Sequence, residues 1–545
     1  MSQRIAVFVS LVFLVACGPN LETDEGIRQA LTDANVPSAT ASKAVEKIQG
    51  MPADKQKQFV GDLVTLHSSD RAPAGLFDVL VALRDPAAKP AYVAVLRDRE
   101  ADNRQRAKAA IALGDIQATD HIDDLATMFR KVANEDLRRS ILEAFTAMPD
   151  PAAFPVLVEI LQNFDPDREP IAYHAYACEV IEATPGVTDS VGRAATYGMF
   201  LDNATNQNVY KECALAVCNA GTLATPEVVT VLQGKHGRIN ARFQKFPSYI
   251  LGSNEVKAAD VLGLLRDPKA VPPLVAVLTT KPEIPPGYRN EKLRGWAATR
   301  IQLFVYSAGA LGDIGDPAAI EELAKFVVQD KKVLEPFNDL IGYDSRSRHD
   351  LALAAIDALN TIGDRSALPH LKRAIESGDI PELKAFNPSF VYQGRWEAGR
   401  AYARLATAAQ FDEYDALIAA EKVDEVKKKL QEFRPMLEVA KECGDQAACY
   451  GRHLKGADKL KAEKAAWELG RMGKGAAEDE LLAHLGTENL ELRKIMIKSL
   501  FRVGSKKTYA KVTEILETEK SRKAPEFQDI HFKMKALRAY ARNNG

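Results

Sequence analysis

An alanine-rich amphipathic segment that ends at a glycine, meets an aspartate and leads into a second apolar segment recurs along this chain, and no other feature limits its fold so strongly. The clearest copies are residues 109–115 (Ala-Ala-Ile-Ala-Leu-Gly-Asp), 308–319, which continue through Gly-Asp-Ile-Gly-Asp-Pro-Ala-Ala, 354–364 and 465–470. Degenerate copies end at Met148-Pro149-Asp150-Pro151, Leu265-Arg266-Asp267-Pro268 and Val503-Gly504. Alanine on the tight face lets paired helices approach closely. Glycine supplies a left-handed C-cap, and Asp-Pro starts the next helix with aspartate as N-cap and proline at N1. Second segments such as residues 319–327 keep a 3.6-residue apolar period. A chain of 545 residues would otherwise be expected to split into several domains, and a repeat of this kind replaces that expectation with a stack of one unit on the next.

Composition agrees. Lys+Arg is 72 and Asp+Glu is 74, a formal net charge of -2, which excludes the global basicity of a general nucleic-acid binder. With 27% charged and 7% aromatic residues the chain suits a helical protein better than a sandwich or barrel. Glycine (33) and proline (27) are too few for a collagen or a wholly disordered chain.

The repeat resembles the HEAT-repeat family, in the short variant also found in phycobilisome-lyase-type proteins. That resemblance covers most of residues 76 to 545 and implies an all-α fold, an α-solenoid of stacked HEAT-like helical hairpins. The expected order is a signal peptide (1–16), a lipidated cysteine and tether (17–24), an N-terminal helical cap (25–75), repeats (76–233), repeats with long inserted loops (234–410), a helical linker with a cysteine pair (411–458), and C-terminal repeats with a closing helix (459–545). In that closing helix, residues 530–542, lysine and arginine are expected to face solvent.

At the start, Arg4 precedes an apolar run from Ile5 to Val15 broken only by Ser10. Eleven helical residues rise only about 16 Å, well short of a bilayer core, so the run reads as a signal-peptide h-region. Leu14-Val15-Ala16-Cys17 resembles the lipobox of bacterial lipoproteins. The resemblance implies lipidation of Cys17, cleavage before it and acylation of the new terminus, which anchors the chain to a membrane. Gly18 stands where that family's inner-membrane retention signal would place aspartate, which favours the outer membrane with the body facing the periplasm; exposure at the cell surface is left open. No later stretch is long and apolar enough to span a bilayer, so the rest is expected to be a soluble body.

Five further cysteines remain. Cys443 and Cys449 flank a short polar loop, which in an exported protein reads as a local disulfide. A metal reading would add His453, but it lacks a fourth ligand and the usual cysteine spacing. Cys213 and Cys218 point in different directions from one helix and should not pair with each other. One of them is placed to reach Cys178 on the preceding repeat; otherwise all three are small core residues. An odd count leaves at least one free thiol.

Spacing locates the site candidates. Gly114 to Met148 and Gly470 to Gly504 are each 34 residues, but Gly263 to Gly312 is 49 and Gly312 to Gly363 is 51. The middle repeats therefore carry insertions, all between one repeat's second helix and the next repeat's first, which stacking should align along one edge. Four segments qualify: 234–255, 280–295, 330–348 and 379–395. They concentrate arginine and aromatic groups, the residue types that dominate interface hot spots. The partner-binding set read from them is Arg238, Arg242, Tyr288, Arg289, Arg294, Trp296, Tyr343, Arg346, Arg348, Tyr392, Arg395 and Trp396. Prolines such as Pro282, Pro285 and Pro286 lower the entropy lost on binding. The alternative is that these aromatics fold inward and plug the loops onto the body.

No H-E-x-x-H, Walker A, G-x-S-x-G or Rossmann fingerprint is present, so no catalytic residue, cofactor or metal is assigned. Gly470-Arg471-Met472-Gly473-Lys474-Gly475 follows a helix and reads as a repeat turn rather than a phosphate loop. Lyase-type relatives attach bilins, a cytoplasmic substrate that an exported lipoprotein would not meet. The expected function is a non-enzymatic, lipid-anchored scaffold that binds another cell-envelope protein, with neither nucleic acid nor a small-molecule substrate involved. The alternative partner is an anionic envelope polymer, a polysaccharide or peptidoglycan.

Overall fold

In a computed structural model, residues 18–164, 172–201, 208–245, 249–328, 345–385 and 387–545 are described. The expected signal peptide, Cys17 and Tyr343 lie outside these residues. Among the described residues every regular element is helical. The chain divides into two compact units, residues 1–156 and 157–545, a division that falls inside the block read as 76–233.

The first unit opens with the helices Asp24–Thr32, Ser38–Gln49 and Val60–His67. Thr23 caps the first by accepting from the Gly26 amide at 3.1 Å. Its C-terminal end is closed by Arg71, which donates to the carbonyls of Leu31 (2.8 Å), Ala30 (3.2 Å) and Val36 (3.2 Å). A guanidinium thus meets the partial negative charge and the orphan carbonyls of a helix terminus together. Hairpins follow: Leu76–Leu83 with Lys89–Arg97, then Asn103–Asp115 with Ile122–Lys131, then Glu135–Ala147. Leu80, Leu113, Leu125 and Ile141 are fully buried between them.

The aspartates act as read. Asp85, Asp150, Asp267, Asp316 and Asp364 each accept from the backbone amide two residues on, at 2.8 to 3.0 Å. What each starts is a single 3-10 turn that leads into the second α-helix. Four of the repeat glycines differ from expectation. Gly114, Gly263, Gly312 and Gly470 lie within their helices rather than capping them. A Cβ on Gly114 would sit 2.7 Å from the Cα of Ala144, and one on Gly312 2.7 Å from the Cα of Ala358. The repeat glycine therefore lets its helix touch the backbone of the next repeat, opposite that repeat's alanine. Gly363 (φ 71°) ends Ser345–Ile362 in the left-handed conformation as read, whereas in the repeat of Gly312 that cap falls three residues later, at Gly315 (φ 78°).

In the second unit the first helix of each hairpin packs on the first helix of the next. The series runs through Ala172–Ala183, Asn208–Ala220, Ser253–Leu265, Asn290–Ile314, Ser345–Ile362 and Phe390–Leu405. It continues through Pro435–Cys443, Lys459–Met472, Leu490–Leu500 and Pro525–Asn544. The last of these packs against Asn208–Ala220, so the inner helices of this unit form a closed ring. Leu215 and Cys218 share one apolar cluster with Ile530, Met534 and Leu537 across the seam.

This closure corrects the expectation for residues 530–542. Arg538 pairs with Glu182, and Arg542 donates to Asn219 Oδ1 at 2.8 Å and to the Glu182 carbonyl at 3.2 Å. Asn543 donates to the carbonyls of Asn219 (3.0 Å) and Cys218 (3.3 Å). A helix that ended a linear stack would have one wet face; this one has a repeat on either side, and its arginines serve the second contact.

Candidate functional site

The long inserts are partly helix. The first folds into Gly237–Phe243; the second and fourth end in the extended first helices Asn290–Ile314 and Phe390–Leu405, and the third ends in Ser345–Ile362. Neighbouring inserts touch. The Tyr288 hydroxyl accepts from the Leu251 amide at 3.2 Å, and Arg348 pairs with Glu382 at 3.4 Å. His349 stacks on Phe390 with ring centroids 5.2 Å apart. Segment 329–344 lies outside the described residues.

Within the edge the predicted residues take different roles. Trp296 and Arg395, read as partner-binding, are buried, at 4% and 6% exposure, so neither is offered at the surface. Arg395 donates to the Ile375 carbonyl at 2.6 Å and pairs with Glu421 and, at 3.3 Å, with Asp379. A guanidinium that ends between two carboxylates fixes the fold of its loop and is spent there. Tyr392 packs on a small cluster of Ile380, Leu383 and Val391. Arg238 is exposed but lies over the Tyr197 ring at 3.8 Å and donates to the Gln162 carbonyl. Arg242 and Trp396 are half-buried, and Arg346 is exposed.

Segment 280–294 is different. Ile284 is 53% exposed, among the few large apolar side chains so placed in the described residues, and Arg289 and Arg294 of the same segment are exposed. Pro282, Pro285 and Pro286 stiffen the backbone that carries them, and Gly287 (φ 81°) makes the turn. Lys292 lies over the Tyr288 ring at 4.7 Å. This segment combines an exposed apolar tip, unburied guanidinium groups and low backbone entropy.

A second feature was not anticipated. Ring closure leaves a cavity of about 360 Å³, open to solvent, between the helix Leu490–Leu500 and the inner helices from Ser253–Leu265 to Phe390–Leu405. Arg266, Arg400, Arg404, Lys494, Lys498 and Lys533 line it, with Asp313, Asp357 and Glu491. Arg400 and Arg404 share one carboxylate, Glu463. Arg404 and Arg502 lie over the Trp467 ring at 5.6 and 4.4 Å, and Arg266 over Phe501 at 4.3 Å. Burial pulls the Arg404 guanidinium down to about 9, with Arg400 adding to the effect, and Arg502 down to about 10, with Arg266 adding. No local pattern announces this cavity, because its walls come from repeats far apart in sequence.

Cys443 is joined to Cys449, and Cys178 to Cys213, with Cα atoms 5.3 and 4.8 Å apart. Cys218 is a buried free thiol whose pKa burial pushes up. Glu442 and His453 stand beside the Cys443–Cys449 pair, hydrogen-bonded at 3.0 Å. Glu442 is the fourth donor that the spacing alone did not supply, but both sulfurs are bonded to each other here.

The family description PBS lyase HEAT-like repeat matches residues 256–280 and 305–329, two of the hairpins that wall the cavity. No curated protein matches the sequence. Among solved structures the chain is similar to Kap121p in its crystal structure bound to Pho4p, at 12% identity and a TM-score of 0.40, over 91% of this chain and 55% of that one. It is similar to yeast importin-beta (Kap95p) at 11% identity and a TM-score of 0.27, over 95% of this chain and 83% of that one. The chain thus spans about half the length of Kap121p.

Proposed function

We propose that this protein is a lipid-anchored, non-catalytic scaffold of the bacterial envelope. In this reading Cys17 carries the anchor in the outer membrane, and the edge formed by residues 280–294 docks another envelope protein in the periplasm. The observation that carries the docking is the exposed Ile284 on a proline-stiffened segment that also exposes Arg289 and Arg294. Aromatic and arginine anchors around an apolar point are what concentrate binding energy at protein interfaces. Ring closure supports the assignment by subtraction: the inner face that an open solenoid would present is occupied by the C-terminal repeats, so a macromolecule must approach the edge or the outside. The anchor rests on the lipobox-like Leu14-Val15-Ala16-Cys17 and raises the effective concentration for any partner at the same membrane.

A photo-crosslinking residue at position 284, expressed in intact cells, should trap one dominant protein, and Arg289→Glu with Arg294→Glu should abolish the adduct without changing the melting temperature. Absence of an adduct in wild-type background overturns the docking edge. Crosslinking to polysaccharide or peptidoglycan in place of a protein, suppressed by moderate salt added before irradiation, would favour the anionic polymer instead. Cys17→Ser should move the protein out of the detergent phase; unchanged partitioning overturns the anchor.

A further inference from the structure

We infer that the reduced form of this protein binds one zinc ion through Glu442, Cys443, Cys449 and His453, and that formation of the Cys443–Cys449 bridge releases it. Three observations converge. The first is the donor set. Two sulfurs, an imidazole nitrogen and a carboxylate oxygen all lie within 4.8 Å of one another. Four such donors complete a tetrahedral shell for zinc, whose bonds of about 2.0–2.3 Å put neighbouring donors about 3.3–3.8 Å apart. The cysteine Cα atoms are 5.3 Å apart, so side-chain rotation can open the two sulfurs to that spacing.

The second is the orientation of Glu442. Its side chain is 56% exposed, yet it turns back onto the protein. Oε2 pairs with His453 Nε2 at 3.0 Å, and Oε1 lies 3.9 Å from Cys449 Sγ. A bridged sulfur has no proton to share with that oxygen, so the sulfur contact gains nothing in the oxidised form. A cation among the four atoms supplies the attraction that the approach lacks.

The third is a framework that does not depend on the bridge. Cys449 and His453 stand one turn apart on the helix Ala447–Leu454, and Glu442 and Cys443 end Pro435–Cys443. Between them the Gln446 amide donates to the Cys443 carbonyl and the Cys449 amide to the Gln446 carbonyl, each at 3.0 Å. The Tyr450 hydroxyl donates to the Gly444 carbonyl, also at 3.0 Å. Both cysteines sit in an apolar cluster with Val439, Leu454 and Leu469, while Glu442 is exposed and His453 half-buried. An ion can thus enter past the carboxylate and meet sulfurs shielded from water.

The exchange balances. A protein dithiol attacks one sulfur, the Cys443–Cys449 bond breaks as a mixed disulfide forms, and the second thiol of the dithiol resolves it, leaving as a disulfide that has given up two electrons. Zinc then takes both cysteines as thiolates, and their two protons go to solvent. A protein disulfide that accepts two electrons and two protons reverses the sequence and frees the ion. The turn stays clamped in either state, by a covalent bond or by a metal.

The test titrates the full-length protein, reduced with a phosphine, first with Co²⁺ and then with Zn²⁺. One equivalent of Co²⁺ should give the ligand-field bands of a tetrahedral centre together with sulfur-to-cobalt charge transfer, and Zn²⁺ should quench both. Oxidised protein should show neither. Glu442→Gln and His453→Gln, both outside the apolar core, should each weaken cobalt binding at least tenfold with helix content unchanged. Absence of the bands in reduced wild type overturns the site, as does undiminished affinity in both glutamine variants. Bands that survive Cys443→Ser with Cys449→Ser place the metal on other cysteines and overturn it equally.

Discussion

In the first unit, polar contacts between repeats join residues about one repeat apart: Lys108 with Asp78 and Lys89 with Asp120 are separated by 30 and 31 positions. In the second unit Lys498 reaches Asp357 across 141 positions, Arg538 reaches Glu182 across 356 and Arg542 reaches the Glu182 carbonyl across 360. The same glycine–alanine packing and the same aspartate caps operate in both. What differs is that the second series of hairpins returns to its own start. A linear stack is stabilised by each repeat and its neighbours, whereas a ring adds a seam that exists only when every repeat is in place. Closure also converts an inner face from a docking surface into a cavity wall.

The comparison breaks most decisively at the seam. Truncation after Ala524 removes the helix Pro525–Asn544, whose Ile530, Met534 and Leu537 are buried in the cluster shared with Leu215. Amides of Ser253–Leu265, far from the cut in sequence, should lose hydrogen-exchange protection by several kcal/mol, while those of Val60–His67 in the first unit keep theirs. Retained protection in Ser253–Leu265 would mean that the second unit is a linear stack whose ends merely touch.

Two buried cations sharpen the contrast. Lys464, fully buried, donates to the carbonyls of Arg404 (2.6 Å) and Ala406 (2.7 Å), which closes the end of Phe390–Leu405, and to Glu468 (2.7 Å) on its own helix, so all three ammonium protons are used. Its pKa is lowered by burial, and Glu468 opposes that shift. Lys464→Met leaves two carbonyls unpaired and Glu468 held by Arg471 and Arg365 alone, and should destabilise the second unit by about 2–4 kcal/mol. Arg71→Met removes the analogous cap in the first unit from a half-buried position, and about 1–2 kcal/mol is expected there. Denaturant midpoints of the two transitions read both; equal losses would show that closure does not make a buried cap more critical.

The repeat, its capping aspartates and the local cysteine bridge were legible because each is a short-range pattern whose physics is complete within a few residues. Asp316 needs only the Ala318 amide to act as a cap. Ring closure was not legible, since Arg538 and Glu182 carry no mark of each other in sequence, and the cavity inherits that silence. The edge was half legible. Arginine and aromatic enrichment marks the inserts, but composition alone does not separate Arg395, held between Asp379 and Glu421, from exposed Arg289. Glu442 beside Cys443 was missed because a ligand search by cysteine spacing does not look at the neighbouring carboxylate.

The smallest test addresses what the two units share. Gly309 and Gly312 lie on one helix, Asn290–Ile314, three residues apart. A Cβ on Gly309 meets nothing within 4 Å, whereas one on Gly312 meets the Ala358 Cα at 2.7 Å and Cβ at 3.1 Å. Gly309→Ala should therefore stabilise by about 0.5–1 kcal/mol, because alanine loses less backbone entropy in a helix. Gly312→Ala gains the same propensity but must push the next repeat's backbone away, and about 1–3 kcal/mol of destabilisation is expected. Gly114→Ala, facing the Ala144 Cα at 2.7 Å, should behave like Gly312→Ala in the first unit's own transition. If closure transmits strain, the displacement in Gly312→Ala reaches the seam and raises hydrogen exchange in Pro525–Asn544, whereas Gly114→Ala alters exchange only in the hairpins beside it. Equal propagation from both positions would show that the stack is as stiff as the ring, and that closure contributes a cavity without contributing cooperativity.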